Sequence, residues 1–102
     1  MRAIICGGRH FTNWPMFDKF MEYDAPVITH IISGGATGAD QMAIDYAVMI
    51  GIPYTIYKAN WNKHKMSAGP MRNQQMIREG KPDIVIAFPG GKGTADMVRR
   101  AR

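Results

Sequence analysis

The chain has 102 residues, 46% of them apolar, which suits one compact domain with a real hydrophobic core, leaves no room for a second, and excludes a disordered chain. Thirteen Lys and Arg against eight Asp and Glu leave a net charge of +5, enough to favour anionic partners without naming one. The single cysteine, Cys6, excludes an internal disulfide and suits a reducing, cytoplasmic setting. No apolar run approaches the roughly 20 residues of a membrane span, so no membrane partner is expected, and no signal-peptide pattern opens the chain.

Strand, glycine turn and helix alternate along the chain. Arg2 to Cys6 is a short apolar strand that stops at Gly7-Gly8. Thr12 or Asn13 caps a following helix, Pro15 suits its first turn, and Phe17, Phe20 and Met21 share one face. Val27 to Ser33 is a β-branched strand that again meets a Gly pair. From Asp40 a helix is expected to bury Ala43, Ile44, Ala47, Val48 and Ile50 and to end at Gly51. Tyr54 to Tyr57 reads as a strand, Lys58 to Gly69 as irregular and polar, and Pro70 to Glu79 as a helix stopped by Gly80. Asp83 to Phe88 is the most apolar strand, broken by Pro89-Gly90-Gly91, and a last helix starts near Thr94. This alternation implies right-handed crossovers and an α/β, three-layer, Rossmann-like fold with a mostly parallel sheet of at least four strands over residues 1–102. The final helix has no capping residue, so a terminal strand is expected to be missing, and a homo-oligomer is expected for so small a domain.

Three strand ends carry the same device: Gly7-Gly8-Arg9, then Gly34-Gly35-Ala36-Thr37-Gly38 up to Asp40, then Gly90-Gly91-Lys92-Gly93-Thr94. In a parallel sheet these turns lie at the carboxyl edge, where ligands bind. Glycine there lets backbone N–H groups approach an anion, and the following helix points its positive end at the same place. Thr37 and Thr94 can add hydroxyl donors, Arg9 and Lys92 charge. Asp40 either caps its helix or binds a ribose hydroxyl. No Walker A pattern and no strict G-x-G-x-x-G is present, and Ser33 stands where a dinucleotide enzyme places its acid, so no nicotinamide cofactor is expected.

No acidic residue occurs between Asp45 and Glu79, while that stretch holds Lys58, Lys63, Lys65, Arg72 and Arg78. Arg72 and Asn73 begin a helix from which both can reach the cleft, unless Arg72 is a surface ion-pair partner. Trp61 either stacks on a base or covers the sheet edge. His10, at the first turn, is a candidate ligand contact, whereas His30 reads as a packed strand residue. The histidines and Cys6 lack metal-ligand spacing, so no metal is expected, and no catalytic set can be assembled.

Taken together, Cys6 to Phe11, Ser33 to Asp40, Ala68 to Met76 and Lys81 to Met97 resemble the YspA-like branch of the SLOG superfamily, which includes the LOG phosphoribohydrolases, the DNA-processing protein DprA and ligand-sensing domains of bacterial immunity proteins. The resemblance implies binding of a nucleotide or an ADP-ribose-like ligand. Its LOG branch implies N-glycosidic hydrolysis as an alternative, and its DprA branch implies single-stranded nucleic acid. His10 replaces an acid of the usual first motif, and Met97 stands where the LOG motif P-G-G-x-G-T-x-x-E has its glutamate. Neighbouring Asp96 is rotated by about 100° on a helix.

Overall fold

The computed structural model describes residues 1–102. Four parallel strands form one sheet in the order β3-β2-β1-β4, with β1 Arg2–Cys6, β2 His30–Ser33, β3 Tyr54–Ile56 and β4 Ile84–Ala87. The central strand β1 is buried on both faces, with Ala3, Ile4 and Ile5 fully covered, as a continuous apolar run requires.

Alternation along β1 divides the core into two layers. Ala3 and Ile5 face Phe17 and Met21 of the first helix and Ala39, Ala43 and Ala47 of the second. Ile4 and Cys6 face Met76 and Met97 on the opposite side. The helices responsible are α1 Trp14–Lys19, α2 Ala39–Ile50, α4 Ala68–Gly80 and α5 Lys92–Ala101, and a short α3 Trp61–His64 precedes α4. The order of strands reverses beside β1, where β4 joins on the side away from β2, and crossovers before and after that reversal cover opposite faces. None of the helices is long and apolar enough to cross a membrane.

Several boundaries differ from the sequence expectation. Asn13, not Thr12, caps α1, its Oδ1 accepting from Met16 N–H at 3.1 Å, and Phe20–Asp24 continue the helix in π geometry. Strand β2 begins at His30, later than expected; Thr29 N–H still donates to Met1 carbonyl at 2.9 Å, and Val27 is 83% exposed. Along α2 the buried row is Ala39, Ala43, Ala47, whose small side chains let the helix lie close to the sheet. Val48 and Ile50 fall off that row and are 64% and 46% exposed, contrary to expectation. Much of Lys58 to Gly69 is helical rather than irregular: Asn60 caps α3, accepting from Lys63 N–H at 3.1 Å, and Lys65–Ser67 form a 3₁₀ turn into α4. The last helix starts at Lys92, two residues before Thr94.

Gly80, expected to stop the helix, lies inside α4 instead. It is the last helical residue, and an added Cβ would lie 3.1 Å from Ile32 Cδ1. The left-handed residue is Lys81, with φ 49° and ψ 59°. Glycine is needed at position 80 for close approach to β2, and the turn itself falls to a lysine. At the end of α2 the expected arrangement holds: Gly51 is left-handed (φ 77°), and its N–H donates to Ala47 carbonyl at 2.9 Å.

Candidate functional site

Backbone hydrogen bonds hold the three glycine loops together at the carboxyl edge of the sheet. Gly8 N–H donates to Pro89 carbonyl at 2.8 Å, and Gly8 carbonyl accepts from Ala39 N–H at 3.2 Å. Gly7 and Gly38 make this approach feasible: an added Cβ would lie 2.6 Å from Ala39 Cβ at Gly7, and would strike Gly8 carbonyl at Gly38. The loops enclose an open cavity of about 700 Å³.

The loops differ in what their amides can do. In the second loop Gly35 N–H donates to Ser33 Oγ at 3.2 Å, Ala36 N–H to Asp40 Oδ2 at 3.2 Å, and Ala39 N–H to Gly8, so three of its amides hold the loops in place, while those of Thr37, Gly38, Asp40 and Gln41 find no acceptor in the chain. In the third loop the N–H groups of Gly91, Lys92, Gly93 and Thr94 donate to nothing in the chain. They form the positive end of the ten-residue helix α5 and line the cavity. The third loop thus presents an unbroken run of free N–H groups to the cavity.

Arg72 crosses the cleft from α4. Its Nη1 donates to Gly34 carbonyl at 2.8 Å and its Nε to Asn73 Oδ1 at 3.1 Å. A Cβ on Gly34 would collide with this guanidinium and would lie 2.9 Å from Asp40 Oδ2. Burial lowers the Arg72 pKa, with the charge of Asp40 opposing the shift and that of Arg9 adding to it. Burial raises the Asp40 pKa, opposed by the Ala36 hydrogen bond and the Arg72 charge. At the floor, burial reinforced by Asp40 pushes the Cys6 thiol up to about 12, so it is a protonated packing group at neutral pH.

Asn73 ties the cleft to α5. Its Nδ2 donates to Gly93 carbonyl at 3.2 Å and to Asp96 Oδ2 at 3.0 Å. Asp96 also accepts from Arg99 at 2.6 Å and Arg100 at 2.8 Å. Burial alone would raise its pKa, but bonds from Arg100 and Asn73 and the two arginine charges outweigh this and lower it. Asp96 does not line the cavity and both its oxygens are engaged, whereas Met97, one residue on, is 1% exposed and packs at the cavity floor.

Most of the residues singled out by sequence meet here: Gly7, Gly8, Arg9, His10, Gly34, Ala36, Asp40, Arg72, Asn73 and Gly90 through Thr94 all line the cavity. Gly35, Thr37, Gly38 and Trp61 do not. Gly35 faces the β3 edge, where a Cβ would lie 2.7 Å from Ile56 Cγ2. The Thr37 hydroxyl donates to Arg9 carbonyl at 3.0 Å, and Gly38 is pressed against Gly8, so both clamp loops together. Trp61 is 51% exposed, at the start of α3 near Gly69. His30 is half-buried and pairs with Thr55 Oγ1 at 2.8 Å. The cavity is also lined by Cys6, Phe11, Met76, Pro89 and Met97, which sequence reasoning did not place in the site. For the two methionines spacing held the signal, since Met76 is one helical turn beyond Arg72 and Met97 three residues beyond Thr94. No group of three or more His, Cys, Asp or Glu side chains gathers as a metal ion would need.

A parallel sheet between two helical layers, with a glycine-walled cleft at its carboxyl edge, defines a Rossmann-like domain. The chain belongs to the YspA, cpYpsA-related SLOG family (YAcAr), whose model matches residues 1–64. It is 34% identical to the Gene 61 protein of Mycobacterium phage D29 over a 112-residue alignment, which covers 99% of this chain and 88% of the relative. No solved structure matches the chain.

Proposed function

We propose that the cleft binds a phosphorylated nucleoside or an ADP-ribose-like ligand, and that the protein acts as a sensor or sequestering module. The observation that carries this reading is the run of four unengaged N–H groups, Gly91 to Thr94, at the positive end of α5. Arg9, Lys92 and Arg72 supply positive charge around the same cavity, whose volume of about 700 Å³ falls in the range of small-molecule sites. Family membership supports a nucleotide-related ligand. Binding is favoured over LOG-like N-glycosidic hydrolysis because at the position of the motif glutamate buried Met97 offers no carboxylate, and neighbouring Asp96 is held by three donors.

Mass spectrometry of small molecules released by heating the purified protein should reveal a phosphorylated nucleoside. Titration with nucleoside monophosphates and ADP-ribose should give saturable binding. Gly91 has open space where a Cβ would be added, so Gly91→Val should keep the fold while obstructing the third loop. Binding that survives this substitution in a folded variant overturns the reading.

Exposed Trp61, with exposed Lys63 on α3 and exposed Lys65 in the turn that follows, supports a second reading as a contact for single-stranded nucleic acid. It predicts oligonucleotide affinity that falls steeply with salt and weakens in Trp61→Ala. A flat salt response removes it.

A further inference from the structure

We infer that Asp40 and Arg72 form a reader for the vicinal hydroxyls of a ribose, making the cleft selective for ribosyl over 2-deoxyribosyl phosphates; the inference rests on the phosphate-ligand reading above. Asp40 is only 6% exposed, yet just one of its carboxylate oxygens has a partner, Oδ2 accepting from Ala36 N–H at 3.2 Å. Its other oxygen, Oδ1, accepts nothing within the chain. No sealed polar side-chain atom in the structure lacks a partner, so Oδ1 opens to the cavity that Asp40 lines. In a residue so largely buried, that open oxygen takes its donor from whatever enters the cavity.

The surroundings narrow what that donor is. A phosphate oxygen is excluded by charge, because it would meet a carboxylate, and phosphate has the free amides of α5 to occupy instead. Arg72 spends Nε and Nη1 on Asn73 and Gly34, which leaves Nη2 without an acceptor in the chain, and Arg72 lines the same cavity as Asp40. A site that pairs one acceptor with one donor suits two adjacent hydroxyls, one giving its proton to Oδ1 and its neighbour accepting from Nη2. Position favours the sugar over the base. Asp40 follows Ala39, which is bonded to Gly8, and Gly8 is bonded to Pro89 at the head of the third loop. The acid therefore stands across the first loop from the phosphate-facing loop and lines the same cavity, on the side where a sugar attached to the phosphate would extend.

The test uses probes without a base. Inorganic phosphate, ribose 5-phosphate and 2-deoxyribose 5-phosphate are titrated against the intact protein by calorimetry. Ribose 5-phosphate is expected to bind about tenfold or more tightly than 2-deoxyribose 5-phosphate, the range of a hydrogen bond to a charged group. Asp40→Asn, checked for folding by circular dichroism, should bring the two sugars within about twofold of each other. Equal binding of both sugars by the parent protein overturns the inference and leaves the phosphate reading standing. Preference for ribose that persists in folded Asp40→Asn also overturns it. Failure of phosphate and both sugars to bind overturns both readings. The parent comparison decides the matter even if the variant does not fold.

Discussion

Arg72 donates through Nη1 to the carbonyl of Gly34 at 2.8 Å, a bond across 38 positions of sequence that fixes a cation against the second loop. The guanidinium fills the space a side chain at position 34 would take. Gly34→Ala should therefore displace Arg72, costing about 1–3 kcal/mol through overpacking. Phosphate-monoester affinity should fall about tenfold with it, since a charge-assisted contact is lost. Urea unfolding and calorimetric titration check the two effects separately. A variant with wild-type affinity would show that Arg72 takes no part in binding.

Asn73 links α4 to the start of α5 through Gly93 and Asp96 while bracing Arg72. Asn73→Ala leaves those buried groups short of a partner, so a loss of about 1–3 kcal/mol is expected in chemical denaturation. Asn73→Asp should be worse than its size suggests, because it sets a second carboxylate against Asp96. If both variants unfold like the parent, the link carries no stability.

Asp96 gives stability a defined pH dependence. Its folded pKa lies below the ordinary value, so its contribution is present above the unfolded pKa of about 3.9 and is lost as pH falls through the lower folded value. The stability gap between the parent and Asp96→Asn should be constant near neutrality and shrink on acidification below about pH 5. Denaturation midpoints measured across pH 3–7 test this sign. A gap that widens in acid contradicts it.

The two left-handed helix ends predict opposite outcomes for opposite substitutions. Gly51→Ala should destabilise by about 1 kcal/mol from backbone strain alone, because nothing lies within 4 Å of the added Cβ. Lys81→Gly should stabilise by about 0.5–1 kcal/mol by relieving the same strain at φ 49°. Thermal unfolding of the pair reads both signs.

Cys6 tests the floor of the cleft. With its thiol pushed up to about 12 and 9% of its surface accessible, native Cys6 should react with iodoacetamide at neutral pH far more slowly than in urea. Fast native labelling would mean that the floor opens.

The layered fold was legible because its punctuation is local. Each strand in this chain is a short apolar run, and a glycine pair follows three of the four. Convergence of the loops followed from parallel topology alone. The division of labour among them did not. Whether Ala39 N–H faces a ligand or Gly8 depends on a hydrogen bond between segments about 30 residues apart, and single-residue patterns carry no trace of it. Gly80 and Lys81 show the same limit: a glycine near a helix end reads as its stop, yet contact with Ile32 is what requires it. Trp61 pointed to the cleft only because it neighbours basic residues, and its cap at Asn60 places it outside.

Gly8 is gripped at both of its peptide groups' polar atoms, by Pro89 on one flank and Ala39 on the other. Neither rim can swing without dragging its neighbour, so the socket is set before a guest arrives, and little ordering entropy remains to be lost on occupancy. Capture should then run at the pace of encounter, hastened by the fringe of Arg9 and Lys92 and slowed by salt, instead of waiting on a closing flap.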